Sequence, residues 1–437
     1  MPRLFPAAVT PAASYYEFRR DHILGTSFDL VVEASSLARA EDAEREVLAE
    51  ITRLSRVLST YTEAGEASRL NRAEGTFPVS AELLSVLAAY ELWGRKTGGA
   101  LTCGADFELD PTRGVARRTG KGQLNIDALG KAWILESASR AGRRSASAVL
   151  LDIGGDIVVE SRSGESAEID VADPLNPWEN ARPLTRIRVS RGSVATSGTS
   201  MRGRHIVDPR SGLPATEIAS ATVVADNAIT ANALSTAACV LGSQDGLRLI
   251  EETAGAEGLL VTDAGRQLRS SGFAQLEKPL TILTQAASQW PSGYEVTIEV
   301  PLTASGWKRP YLAVWVEDTK GRLVRNVGLF ANKPRYLNEL REWYSVNATA
   351  NTNWRSVARP TRGPGKYSFV WDGIDESGKP APQGPYRVFV ECAMEHGSYY
   401  RQFGTIECGA TPAEAMVKRT GYFDEVAIQY GPKAGRA

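Results

Sequence analysis

The chain has 437 residues, 43% of them apolar and 23% charged, with a formal net charge of −1. That length predicts two or three domains rather than one ordinary core. The balanced charge argues against a general nucleic-acid binder, which carries a basic excess, and no apolar run approaches the ~20 residues of a transmembrane segment.

The N-terminus, MPRLFPAAVTPAASYYEF, is broken by prolines and lacks the continuous apolar core of a secretory signal. Residues 1–21 therefore read as an arm of a cytoplasmic or leader-trimmed protein. GTSFDLVVE (25–33) alternates towards a strand. Ala43, Val47, Ile51, Leu54 and Leu58 then recur every three or four residues, giving a long helix over 39–61 one apolar face. Ser80 is a good N-cap for a second helix carrying Leu83, Leu84, Leu87 and Trp93, and Gly98 and Gly99 follow its end. A third helix is expected over 127–140, capped by Asp127. Strands AVLLDI and DIVVE flank a turn at Gly154–Gly155. Further strands are ARPLTRIRVS, SATVVA, GLLVT and QLRSS, and helices are expected over 228–240 and 246–253. Strands and helices mix without a regular βαβ rhythm, which predicts an α+β domain over 22–275.

A linker is expected over 276–289. Six of the nine tryptophans lie beyond it, among short β-like runs separated by DTKG, DESGKPAPQG and EHG turn signals. This predicts an all-β sandwich over 290–409, with RYLNELREWYS as a helical turn and residues 410–437 as a patternless tail. The four cysteines form no CxxC or metal spacing. A hairpin turning near His396 sets Cys392 opposite about residue 401, so a disulfide to Cys408 requires a different register.

Four pieces can carry chemistry. Asn232 and Thr236 lie four apart on one helix face, where two oxygens can share a hard cation or simply form a helix-surface pair. The two glycines of LLDIGGDIVVE let a ligand approach the backbone, with Asp156 at the turn exit; a plain hairpin is the alternative. Lys131 can reach a phosphate near a helix start, or be a solvated lysine. The stretch SVATSGTSMRGRHIVDPRSGLPA (193–215) sets Thr196, Ser197 and Gly198 before His205, whose imidazole titrates near neutrality, and before the DPRSG turn at Asp208.

The order N-x-D-A-L-G-K, D-I-G-G-D-I, A-T-S-G, H-I-V-D-P-R-S-G-L-P and A-N-A-L-S-T-A resembles the ApbE family of FAD:protein FMN transferases over roughly 22–275. LGTSFDLV, LSTYTEAGEASRLNRAEG and VADPLNP are similar to further family segments. The resemblance implies transfer of FMN from FAD to a Thr or Ser hydroxyl of an acceptor protein, with Mg²⁺ and release of AMP. It implies His205 and Asp208 as catalytic residues. It implies Asp127, Lys131, Gly154, Gly155, Asp156, Thr196, Ser197, Gly198 and His205 as FAD contacts, and Ala128, Asn232 and Thr236 as the metal site. Asn232 stands where the family has Asp, Ala132 follows Lys131 in place of glycine, and Gly98–Gly99–Ala100–Leu101–Thr102–Cys103 replaces G-G-x-F-D-P. Asp226 is close enough in sequence to compensate for Asn232. The edited metal motif allows the alternatives of an FAD-binding protein with weakened or lost transfer, or an FAD pyrophosphatase. Members of the family are usually periplasmic or membrane-anchored. YLAVWVED, RYLNELREWY, GKYSFVWDG and GPYRVFVECAMEHGSYY resemble an uncharacterised immunoglobulin-like domain of predicted exported proteins; its members tend to carry a Ser-Gly-Ala-Thr-like acceptor stretch, whereas SVARPTRGPGKYS has Thr361 without Ser-Gly-Ala, which disfavours self-flavinylation there.

Overall fold

Near-continuous apolar runs such as Ala148–Ile153 and Ile218–Ala225 build a sheet buried on both faces. The computed structural model describes residues 3–4, 14–120, 122–162, 164–176, 178–198, 206–278, 289–303, 309–331, 334–350, 357–395 and 397–433. Contacts divide the chain into one unit of Met1–Leu175 with Leu184–Pro279, and a second of Asn176–Pro183 with Leu280–Ala437.

The first unit is built on eight strands: β1 (Ser14–Ile23), β2 (Thr26–Ala34), β3 (Ala148–Ile153), β4 (Asp156–Ser161), β5 (Arg191–Gly198), β6 (Ile218–Ala225), β7 (Glu257–Thr262) and β8 (Gln267–Arg269). Their order in space is their order in sequence, and every neighbouring pair is antiparallel. Helices α1 (Leu37–Leu58), α2 (Glu66–Arg72), α3 (Ala81–Lys96) and α4 (Asp127–Gly142) fall between β2 and β3, and α5 (Ala228–Glu251) between β6 and β7.

Side chains alternate along each strand, so the two faces have separate cores. Phe28, Leu30, Leu151, Val158, Ala195 and Ala221 pack with helical Val47, Leu54, Leu129 and Leu234. Leu150, Val159, Val194 and Leu259 pack the other way, against Ile169, Val171, Ile187 and Val189 of a small sheet made of Arg3–Leu4, Ala167–Val171, Thr185–Val189 and Glu277–Lys278. The result is three layers: helices, large sheet, small sheet.

Ser80 caps α3 as expected, accepting the Leu83 N–H at 3.3 Å. Other expectations need correction. Residues 14–23 are not an arm but the edge strand of the large sheet, paired along their length with β2. Asp127 does not cap α4: it is the first helical residue, and its N–H donates to Asn125 Oδ1 at 3.0 Å. The two helices expected over 228–240 and 246–253 are present as the two pieces of α5, which break at Gly242 (φ 81°, ψ −174°) as expected. There the Ser243 N–H donates to the Glu217 carboxylate at 3.1 Å, which caps the second piece. Most of the expected 276–289 linker lies outside the described residues.

The second unit is a two-sheet sandwich. Strands β9 (Tyr294–Leu302), β10 (Tyr311–Asp318), β11 (Leu323–Phe330), β12 (Gly365–Trp371), β13 (Gly384–Ala393), β14 (Tyr399–Cys408), β15 (Ala413–Val417) and β16 (Val426–Pro432) form sheets ordered β12-β9-β16-β15 and, after a short Ala358–Arg359 strand, β11-β10-β13-β14. Val296, Ile298, Trp371, Val314, Val388 and Ile428 fill the space between them. Helix α6 (Arg341–Ala350) covers the outer face of the five-stranded sheet through Trp343, against Trp315 and Phe389.

The expected tail is instead integral: β16 runs between β9 and β15, with Val426, Ile428 and Tyr430 buried. Cys392 faces Tyr400, one residue from the expected position, and all four cysteines are free and buried. Thr361 is 1% exposed, so its hydroxyl is not presented for flavinylation. Residues 176–183 edge the sandwich. The Glu179 N–H donates to the Ser368 carbonyl, and the Asn180 amide bonds both ways with the Val370 backbone, at 2.6 and 2.9 Å.

Candidate functional site

The strand register gathers the polar residues at one end of the large sheet. Val194 pairs with Ile157, which carries Asp156, at the start of β4, to the same end as Ser197 near the close of β5. Both point to the helix side, where α4 and α5 lie.

The turn between β3 and β4 has Gly154 at φ 60° and Gly155 at φ 91°, the left-handed geometry of a tight hairpin. A Cβ on Gly154 would lie 2.5 Å from Thr26 Oγ1, whereas nothing lies within 4 Å of one on Gly155. The first glycine is thus required by packing, and the second leaves open space beside the backbone. Asp152 Oδ1 accepts the Gly155 N–H at 2.8 Å and so fixes the turn. Burial, and then the Asp29 carboxylate directly across the strands, push the Asp152 carboxyl up to about 7. Asp29 is itself paired with Arg19 at 3.1 Å.

Lys131 extends from the start of α4 to Asp156, Nζ to Oδ2 2.7 Å, with side chains 22% and 13% exposed. The pair is half-buried and reachable, so an anion can compete with the carboxylate for the ammonium group. The Leu129 N–H donates to the buried Tyr90 hydroxyl at 3.3 Å. Tyr61 donates its hydroxyl to the Asp127 side chain while its ring stays 80% exposed.

At the end of β5, Ser197 Oγ lies 3.0 Å from Ser235 Oγ and 3.2 Å from Thr236 Oγ1. Ser235 also donates to the Asn232 carbonyl at 3.2 Å. Gly198 has no room for a side chain, because a Cβ would meet the Ala219 carbonyl. The Asn232 side chain is 6% exposed and its Nδ2 has no partner. Cys239 donates to the Ser197 carbonyl at 3.5 Å, and burial pushes its thiol up to about 12, so it is inert here.

The structure therefore brings Lys131 to Asp156 and Ser197 to Thr236. Thr196 points to the opposite face, where it meets Thr222 at 2.9 Å. That is the strand's alternation at work, and it separates Thr196 from the other expected FAD contacts. Asp208 also has a different role from the expected catalytic one. It sits in a hairpin closed by the Val207–Pro214 bridge, and both its oxygens accept from Arg210, at 2.9 Å each. Arg210 holds that carboxyl below the usual range, so Asp208 is a turn-forming anion. The Arg210 stem packs over Gly99, joining this hairpin to the Gly98–Gly99 turn. His205 and residues 199–204 lie outside the described residues.

Ala128 sits in the first turn of α4, and Asn232 and Thr236 on α5. Among the described residues, no group of three or more His, Cys, Asp or Glu side chains is placed to hold a metal ion. Asp226 does not compensate for Asn232. It follows Ala225, which pairs with Ser193, whereas Ser197 pairs with Ala221, so Asp226 lies five strand positions away, roughly 16 Å. Sequence reasoning missed Ser235, Asp152, Asn125 and Tyr61. Ser235 had a signal in its spacing from Asn232, and Tyr61 in the LSTY start of a segment similar to the family.

Solved structures share the fold of the first unit. The ApbE protein of Thermotoga maritima superimposes with a TM-score of 0.55 at 23% identity, over 61% of this chain and 100% of that one. Flavin transferase ApbE from Vibrio cholerae gives 0.52 at 20% over 60% and 99%, and the apo form of the Pseudomonas stutzeri flavinyl transferase ApbE gives 0.53 at 19% over 62% and 100%. The first unit thus has the ApbE fold, an α+β architecture shared with flavin transferases. The ApbE family profile matches residues 24–106 and 103–260, more than half of the sequence, and the chain belongs to that family.

Three curated relatives carry the name FAD:protein FMN transferase. That of Treponema pallidum is 28% identical over 171 residues, covering 35% of this chain and 47% of that protein. Those of Klebsiella pneumoniae (24% over 306 residues; 56% and 85%) and Haemophilus influenzae (26% over 303; 57% and 87%) are matched over most of their length. Residues 293–424 match a second family, described as a predicted periplasmic protein, DUF2271.

Proposed function

We propose that the first unit binds FAD and transfers its FMN half to a Thr or Ser hydroxyl of an acceptor protein. The observation that carries this reading is the juxtaposition of the Lys131–Asp156 pair and the Ser197–Thr236 hydroxyls at one end of the sheet, within the matched family region. In this reading the open backbone at Gly155 admits the dinucleotide, and Lys131 exchanges Asp156 for a phosphate oxygen. The exposed Tyr61 ring borders the same α4 start. The acceptor oxygen attacks the FMN phosphorus, the pyrophosphate P–O bond breaks towards the adenylate, and AMP leaves. The hydroxyl proton goes to a base, for which His205 is the residue implied by resemblance.

Mg²⁺ is the cation implied by resemblance, and it would neutralise the pyrophosphate when bound. The donor set does not suit a resident dication. Asn232 and Thr236 offer neutral oxygens, and the Asp156 carboxylate is already neutralised by Lys131. No step is assigned to the metal.

Incubation of the full chain with FAD and an acceptor carrying a Thr or Ser flavinylation site tests the proposal. AMP and an FMN-mass adduct on the acceptor are expected together. AMP with free FMN and no adduct would replace transfer by FAD hydrolysis. The neutral corner around Asn232 favours a second reading, FAD binding with slow turnover, and this predicts bound, intact FAD after prolonged incubation.

A further inference from the structure

Three hydroxyls meet at the close of β5, those of Ser197, Ser235 and Thr236; Ser235 also donates to the Asn232 backbone carbonyl one turn before Thr236, and all four side chains are uncharged. Hard divalent cations in proteins are held through one or two carboxylates, which offset the dehydration of the ion. None is free for a cation among three described candidates. Asp156 is bound to Lys131, Asp226 lies beside Gly255 at the other end of the strands, and Asp127 accepts from Tyr61. The Asn232 Nδ2 adds a buried, unpartnered N–H donor, a group that an anion's oxygen satisfies and a cation repels.

We propose that this corner holds no divalent cation of its own, and that the protein takes FAD as the free dinucleotide, with the phosphates met by Lys131 and by the neutral donors of β5 and α5. This rests on the reading of the pocket as an FAD site. It places the counter-charge for the pyrophosphate on the chain itself. It also makes Asn232 the residue that sets metal dependence.

Two binding measurements on the full chain test it, neither of which needs turnover. Flavin fluorescence titrations are run in EDTA and in millimolar Mg²⁺, and Mn²⁺ binding is followed without FAD by the loss of its free-ion electron paramagnetic resonance signal. The FAD affinity of the wild type is expected to change by less than about threefold between the two conditions, with the Mn²⁺ signal unquenched. Asn232→Asp is expected to acquire Mn²⁺ binding and a Mg²⁺-dependent FAD affinity. A wild-type FAD affinity that rises about tenfold or more with Mg²⁺, or stoichiometric Mn²⁺ uptake by the wild type, overturns the inference while leaving the FAD pocket standing. Absence of FAD binding in both conditions overturns the pocket reading and this inference with it. Because the wild-type arms decide the matter alone, a variant that fails to fold does not blunt the test.

Discussion

Replacing Asp152 by Asn removes a carboxylate that the fold holds in an unfavourable place. The Asp152 carboxyl is pushed up to about 7 by burial and by Asp29, against about 3.9 in an unfolded chain. The folded state therefore keeps a proton that the unfolded chain releases. Stability tied to this proton is complete below about pH 4 and is lost as pH rises through about 7. The interval of about three pH units sets a ceiling of about 4 kcal/mol, at 1.36 kcal/mol per unit. Asp152 is only partly buried in its strand, and this solvent access reduces the figure to about 2 kcal/mol. Asparagine mimics the protonated acid at every pH, and its Oδ1 can still accept the Gly155 N–H. Thermal unfolding of the full chain is followed at several pH values, and the difference between variant and wild type is read so that other titrating groups cancel. The variant is expected to match the wild type near pH 4.5 and to melt about 4–8 °C higher near pH 8.5. A gap that is independent of pH, or a variant less stable at the alkaline end, would refute the assignment of the buried proton to Asp152.

Other outcomes follow from the same geometry. Gly154→Ala should destabilise the first unit by about 2 kcal/mol, from its positive φ and the contact with Thr26, whereas Gly155→Ala should cost about 1 kcal/mol because its surroundings are open; denaturant melts compare them. Lys131→Met should weaken FAD binding by about tenfold or more by fluorescence titration, since it removes the cation and leaves Asp156 to repel phosphate. Ser197→Ala should lower FAD affinity in the same titration and Thr196→Ala should not, because the two side chains lie on opposite faces of the sheet. Asn180→Ala should destabilise the second unit by about 1–2 kcal/mol through two lost hydrogen bonds to Val370, read by chemical denaturation followed on the sandwich tryptophans.

Much of the helical layer was legible because it repeats a simple period. The spacing of Val47, Ile51 and Leu54 predicted α1, and Ser80 predicted the start of α3. Strand β1 was hidden by its composition: YYEFRRDH carries charges on both faces of an edge strand, so neither alternation nor apolar content stands out. The last strand was hidden by expectation of a tail, although V-A-I-Q-Y does alternate. At the site, the structure pairs Lys131 with Asp156 and Ser197 with Thr236, residues from separate motifs that no single spacing could join. Thr196 was misjudged because consecutive strand residues face opposite ways, which a contiguous motif conceals. Asp208 was misjudged because its partner Arg210, two residues on, belongs to the same turn. The Asn125 side chain that accepts the Asp127 N–H just before α4 was missed because Asp127 itself looks suited to cap from sequence.

The eight residues Asn176–Pro183 arise within the first unit's stretch of sequence yet belong to the sandwich. Such interleaving matters for anyone who would divide the gene. A cut near residue 280, the natural place from composition, would release a sandwich lacking Asn180 and so bare the backbone of Gly365–Trp371 along an edge strand. Unprotected edges of that kind template pairing with other chains, so the excised fragment would be prone to self-association for a reason absent from the intact protein. A short excursion of the first unit's sequence is part of the sandwich's own architecture, with the Asn180 side chain holding the backbone of residue 370 across 190 positions of chain.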